Sequence, residues 1–149
     1  VASRYGLEIR AATGGDATGL AELLRSCGHP VAAEALAERI EALRQGAGAA
    51  LVAIEWGPPS GLVVVHWYPS LAASLATAQI TTLLVDPDAR RRGIGRLLLK
   101  AASQAARSAG CGDIQLLAGP RQADLQAFGA ATGFTDQGVL SVRPLRKKG

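Results

Sequence analysis

The densest chemistry in this chain lies in seven consecutive residues, Arg90-Arg91-Arg92-Gly93-Ile94-Gly95-Arg96. Four guanidinium groups and two glycines stand together, directly ahead of a leucine-rich helical pattern. Glycines let backbone N–H groups approach a ligand closely, and a helix N-terminus adds positive potential. The stretch therefore reads as an anion site, best suited to phosphate. A Walker A loop needs G-x-x-x-x-G-K-[ST], which the sequence does not contain, and Gly93-Ile94-Gly95-Arg96-Leu97-Leu98 lacks the third glycine of a dinucleotide fingerprint. What remains is R-x-x-G-x-G; the structural alternative is a tight turn carrying a solvated arginine run. Two further side chains, His66 and Tyr68, close a β-rich segment beside an uncharged loop. The histidine has a near-neutral reference pKa and is suited to move a proton. His29, within Gly28-His29-Pro30, reads as a turn residue.

The elements that must hold these groups are legible from periodicity. Thr81 to Val85 is β-branched and aliphatic, as a buried strand requires, and Asp86-Pro87 ends it. After Gly95 the spacing of Leu97, Leu98, Ala101, Ala105 and Ala109 predicts the apolar face of a helix. Arg96, Lys100 and Arg107 fall opposite, and Gly110 is the stop. Earlier in the chain, Leu7 to Ala11 reads as a strand, with helices over Asp16–Cys27 and Val31–Gln45. Strands over Ala50–Glu55 and Leu62–Trp67 flank the turn-forming Gly57-Pro58-Pro59-Ser60-Gly61 as an antiparallel hairpin. Pro69 to Ala76 is expected to be a loop. Beyond the central helix follow a strand over Asp113–Ala118, a helix over Arg121–Thr132, and a last strand over Gly138–Arg143.

This order, β-α-α-β-β-β-α-β-α-β, predicts an α/β chain of the α+β type. Its central sheet is mixed and mostly antiparallel, with six to seven strands and about four helices. At 149 residues, 48% hydrophobic and 19% charged, it is expected to form one globular domain over 1–149, with a basic tail from 143. Cys27 and Cys111 stand alone in separate segments, with no zinc-site spacing, and read as reduced thiols. No apolar run reaches the ~20 residues of a membrane span, and Val1 to Gly15 lacks the pattern of a secretory signal. A cytoplasmic protein with no membrane partner is the expectation. The formal charge of +4 admits a nucleic-acid binder, but 4% aromatic residues leave little for stacking on bases, so nucleic acid is not expected as a partner.

The stretch Leu83-Leu84-Val85-Asp86-Pro87 followed by Arg90-Arg91-Arg92-Gly93-Ile94-Gly95 resembles the acetyl-coenzyme A signature of the GNAT (Gcn5-related) N-acetyltransferase superfamily. Leu125-Gln126-Ala127-Phe128 with Gly133-Phe134 is similar to a second motif of that family, and the element order agrees with its fold. The resemblance implies acetyl-coenzyme A as co-substrate and an amine of a small molecule or a protein as acceptor. It also allows a homodimer. It implies that backbone groups of Leu83 and Val85 pair with pantetheine, and that an N–H of Leu84 or Val85 polarises the thioester. It further implies that amides from Arg91 to Arg96 wrap the pyrophosphate, that Arg90 or Arg96 adds charge, and that Gln122 and Phe128 complete the cofactor site.

Two family side chains are absent from their usual places. Where a tyrosine often serves as general acid the chain has Gly129, and where a glutamate often serves as base it has Thr81 and Thr82. A thiol, near pKa ~8.5, leaves tolerably without an acid, but an alkylammonium near ~10.4 needs a proton acceptor. His66, Tyr68 and Thr81 are the catalytic candidates that remain. The alternative is a catalytically weak acyl-coenzyme A-binding module or sensor.

Overall fold

The computed structural model describes residues 6–90 and 92–146. In chain order it forms β1 (Glu8–Ala11), a 3-10 turn (Gly14–Asp16), α1 (Ala17–Ser26), α2 (Ala33–Gln45), β2 (Gly48–Ile54), β3 (Gly61–Tyr68) and β4 (Ala76–Val85). A second 3-10 turn (Pro87–Ala89), α3 (Ile94–Ser108), β5 (Cys111–Leu116) and α4 (Ala123–Ala131) follow. The chain divides into two units, Val1–Leu117 and Ala118–Gly149.

In the first unit the strands form one sheet in sequence order, β1-β2-β3-β4-β5. Neighbours from β1 to β4 are antiparallel, and β4 pairs with β5 in parallel through the α3 crossover. Alternation along the strands sorts the apolar side chains onto two faces. Val63, Val65, Ala78 and Ile80 pack with Ile94, Leu98, Ala102 and Ala106 of α3. Leu20, Leu23 and Ile40 of α1 and α2 cover Ala50, Val52 and Leu62 on the other face. Gly61 allows α3 to sit close: a β-carbon there would lie 2.8 Å from Leu98 Cδ1 and 3.0 Å from Ile94 Cγ2. The start of α1 is fixed by polar contacts. Asp16 accepts both ends of the Arg10 guanidinium at 2.8 Å and the Thr13 N–H at 2.8 Å. The Arg10 hydrogen bond holds the Asp16 carboxyl below its ordinary pKa, against the opposing effect of burial.

The second unit holds α4. Gln122 precedes it and accepts the Gly119 N–H at 2.7 Å, while Gln126 returns a bond to the Gly119 carbonyl at 2.7 Å. Gly133, at φ 97°, turns the chain out of the helix, and the Phe134 N–H closes onto the Gly129 carbonyl at 2.9 Å. This is the left-handed glycine stop expected of Gly133.

Three expectations are corrected. The last strand, Gly138–Arg143, does not form among the described residues, so the sheet has five strands where six to seven were expected. A strand needs a neighbour for its N–H and C=O groups, and β-propensity in Val139, Leu140 and Val142 supplies none. Those three side chains are exposed. The central strand begins at Ala76, the last residue of the expected loop, because Ala76 pairs with Cys111 of β5 and Thr77–Ile80 lies between two paired neighbours. The buried stripe of α3 is Ile94, Leu98, Ala102 and Ala106, one position off the predicted alanines. Ala105 is only half-buried and Ala109 is exposed. Alanine is apolar enough to read as core on either side of a helix, so the pattern alone left the face ambiguous.

Among the described residues no helix is long and apolar enough to cross a membrane, and no group of His, Cys, Asp or Glu is placed to hold a metal ion.

Candidate functional site

The site is built on the two halves of β4. From Thr77 to Ile80 the strand pairs with β3 on one side and β5 on the other, and Ala76 pairs with β5. The last bond to β5's extension is from the Leu117 N–H to the Ile80 carbonyl, 3.1 Å. Beyond it, among the described residues, Thr82 to Val85 pairs with β3 alone.

The pairing with β3 slips at this point: Val64 faces Thr82 and Val65 faces Ile80, leaving Thr81 as an extra residue. A bulge changes which backbone groups face which neighbour. The Asp86 N–H donates to the Ser60 carbonyl at 2.8 Å, which marks Gly61↔Val85 as a pair without mutual hydrogen bonds. Alternation then makes Leu62↔Leu84 hydrogen-bonded and Val63↔Leu83 not. The N–H and C=O groups of Leu83 and Val85 thus point to the unpaired edge. Those of Leu84 point into the β3 ladder, which corrects the expectation that its N–H is free for a ligand. The bulge also turns Leu83 and Val85 onto the α3 face of the sheet, behind Val63 and Gly61.

The unpaired edge runs into the arginine–glycine turn. Asp86 accepts the Asp88 N–H at 2.9 Å and fixes the 3-10 turn, with Ala89 buried beneath it. Gly93 is the N-cap of α3 at φ 78°, a left-handed conformation that L side chains adopt at a cost of roughly 1–2 kcal/mol. The first intrahelical bond runs from the Leu97 N–H to the Gly93 carbonyl at 3.1 Å. The N–H groups of Ile94, Gly95 and Arg96 therefore open on the helix's positive end without an intrahelical carbonyl.

The arginines divide by task. Arg90 Nε donates to the Val85 carbonyl at 3.4 Å, and the Cys27 thiol reaches the same oxygen at 3.7 Å. Burial pushes the Cys27 thiol pKa up, partly opposed by the nearby Arg90 charge. Arg92 is paired with Glu55 at the end of β2, which ties the turn to the β2–β3 connection. Arg96 is exposed on the first turn of α3, and Arg91 lies outside the described residues.

The opposite sheet face carries a polar patch. His66 Nε2 lies 3.0 Å from Thr81 Oγ1, so the bulge brings together two of the three catalytic candidates. Gln79 donates to Gln115 Oε1 at 3.0 Å. The register sets Tyr68 against Thr77 and Thr77 against Asp113 one row further along. Tyr68 is exposed and shares the face with His66 but not the bulge. Gln122 and Phe128 belong to the second unit, where Gln122 is engaged by the Gly119 N–H and Phe128 is half-buried in α4.

Sequence reasoning missed the bulge, the Gln79–Gln115 pair and the Arg92–Glu55 contact. The bulge did leave a trace: apolar residues at 76, 78 and 80 are followed by apolar residues at 83 and 85, with Thr81-Thr82 as the slip. A two-residue alternation that jumps phase is the signature of one inserted strand residue. The two long-range pairs have no comparable signal.

Comparison with known proteins agrees with this geometry. The family model described as acetyltransferase (GNAT) family matches residues 17–134. Among solved structures, an aminoglycoside N-acetyltransferase in complex with coenzyme A aligns with a TM-score of 0.79 at 21% identity, covering 98% of this chain and 98% of its own. A glucosamine-6-phosphate N-acetyltransferase from Arabidopsis thaliana aligns at 0.80 and 18%, covering 94% and 99%. A ribosomal-protein-alanine N-acetyltransferase from Brucella melitensis biovar Abortus 2308 aligns at 0.75 and 22%, covering 93% and 99%. No curated protein sequence matches significantly. At these identities the structural likeness speaks for the fold; the family match over residues 17–134, with the opened strand and glycine turn it contains, decides the membership, and the chain belongs to the acetyltransferase (GNAT) family.

Proposed function

We propose that the protein is an acetyl-coenzyme A-dependent N-acetyltransferase acting on a primary amine. The observation that carries this reading is the bulge at Thr81, which aims the backbone of Leu83 and Val85 at an edge that β5 leaves unpaired. An amide-rich, extended pantetheine arm fits such an edge as an added strand would. The chain leads from that edge to three open N–H groups at the α3 N-terminus, which suit a pyrophosphate. Arg90 now bonds to Val85 O and would turn from it to the ligand's charge, with Arg96 beside it on the helix. Arg92, held by Glu55, braces the turn.

In the transfer the amine nitrogen bonds to the acetyl carbon, the C–S bond breaks and the thiolate departs. The amine proton passes to Thr81 Oγ as Thr81 hands its own to His66 Nε2, 3.0 Å away. The Val85 or Leu83 N–H supplies the donor for the developing oxyanion. Tyr68 stands too far along the face to share this step and is better suited to the acceptor.

Calorimetric titration with acetyl-coenzyme A, followed by thiol release with a panel of amines, tests the proposal. Saturable binding and turnover are expected, and no binding at millimolar ligand overturns it. His66→Ala is expected to lower kcat by about 10²–10⁴-fold with acetyl-coenzyme A affinity unchanged. A second reading, a binding module without turnover, is favoured by Gly129 and Thr81-Thr82 standing where the family often has a phenol and a carboxylate. It predicts tight acetyl-coenzyme A binding and no thiol release with any acceptor.

A further inference from the structure

We infer that the acceptor is the α-amine of an extended peptide rather than a lysine side chain or another strongly basic alkylamine. This rests on the acetyltransferase reading above and deepens it. The first argument concerns protons. β3, β4 and β5 together carry one carboxylate, Asp113. It is paired in register with Thr77, four residues and so about 13 Å along the strand from Thr81. A general base must stand within hydrogen-bond reach of the proton it takes, which Asp113 does not do for an amine at the bulge. Asp86, five residues past Thr81, is about 16 Å away along the strand and is occupied with the Asp88 N–H.

The base at hand is therefore the His66–Thr81 pair. With no carboxylate in reach, the site favours an amine that gives up its proton at low cost, which an α-ammonium (~7.7–8.0) does far more readily than a lysine-like ammonium (~10.4). At pH 7 the neutral, nucleophilic fraction of an α-amine is also roughly 300-fold larger. A site with this base works on the weaker amine.

The second argument is shape. The Gln79 amide donates to Gln115 Oε1, which leaves Gln79 Oε1 as acceptor and the Gln115 amide as donor side by side on the face that holds His66. An extended peptide presents the N–H and C=O of one residue to the same side, and so matches that donor–acceptor pair. Further along the same face stands the exposed Tyr68, paired in register with Thr77. Its ring suits an apolar side chain about four residues into an extended peptide whose amine lies at Thr81. The amine then reacts as derived above: a C–N bond forms, the C–S bond breaks, and the proton goes to the Thr81–His66 pair.

The test compares two peptides with the full chain at pH 7. One is a lysine-free pentapeptide amide with a free α-amine and an apolar fourth residue. The other has the same α-amine blocked by a formyl group and a lysine at the second position. Acetyl-coenzyme A binding is measured separately by calorimetry. The expected kcat/KM, from thiol release, is about a hundredfold higher for the free α-amine. Equal or faster reaction of the lysine peptide overturns the inference. So does failure of both peptides when calorimetry shows acetyl-coenzyme A bound; failure of acetyl-coenzyme A to bind instead overturns the cofactor reading beneath it. Gln115→Leu is expected to raise the peptide KM about tenfold with acetyl-coenzyme A affinity unchanged. An unchanged KM removes the amide pair from acceptor recognition and overturns the peptide assignment.

Discussion

The two halves of β4 differ in what they are for. Thr77–Ile80 is paired on both edges, and Ala78 and Ile80 are wholly buried. Thr82–Val85 is paired on one edge and stays half-buried. One half spends its backbone on the sheet, while the other leaves groups of Leu83 and Val85 facing an edge that β5 does not pair. A single extra residue, Thr81, separates them. The comparison shows that an open backbone edge can be made inside a central strand without losing the strand, provided one neighbour ends and a bulge resets the alternation.

That division can be tested by breaking each half separately. The largest effect is expected just beyond the open half. Gly93→Glu combines a side chain at φ 78° with a negative charge at the α3 N-terminus, and should abolish acetyl-coenzyme A binding at millimolar ligand. Retention of the far-UV circular dichroism spectrum would show that the loss is local. Next comes Ile80→Ala in the paired half, where emptying a fully buried site should cost about 2–5 kcal/mol in denaturant unfolding. Its effect on affinity should be small.

Leu83→Pro attacks the open half directly. It removes an N–H that faces the unpaired edge, and proline is tolerated where that group is outside the ladder. The expected result is a fall in acetyl-coenzyme A affinity of about tenfold with a smaller loss of stability than Ile80→Ala. The reverse order of effects would show that the two halves do not divide binding from folding.

The smallest effect lies outside β4 and serves as its control. Asp16 has a folded pKa below its unfolded value, chiefly through Arg10, so its contribution to stability is present above the unfolded pKa near ~4. It is lost as pH falls through the lower folded value. Asp16→Asn should therefore cost up to about 1 kcal/mol at pH 7 and progressively less in acid, because the wild-type carboxylate loses its charge there. Chemical denaturation at pH 7 and pH 3 checks this.

How much of this could be read without coordinates varies with the physics involved. The strand–turn–helix from Thr81 through the arginine turn to α3 was legible because its signals are local. β-branched residues, Asp-Pro, the glycine at a left-handed position and a helical apolar repeat each act within a few residues. The expected strand at Gly138–Arg143 failed for the complementary reason: its residues favour extension, but pairing is a property of a second segment. His66 could be nominated from its chemistry, yet its neighbour Thr81 could not. Their separation depends on register, and register depends on a bulge whose only trace is two threonines out of phase.

What the sequence determined by itself, then, is the order and type of most elements and the arginine–glycine turn that opens α3, since propensity and capping are short-ranged. Tertiary structure decided which backbone groups of β4 remain open, that Leu84 is excluded from the edge, that Arg92 is held by Glu55, and that Gln79 meets Gln115. Each of these joins residues distant in the chain or depends on how β4 lies against its neighbours, so it is fixed by packing and strand register and cannot be read from local sequence alone.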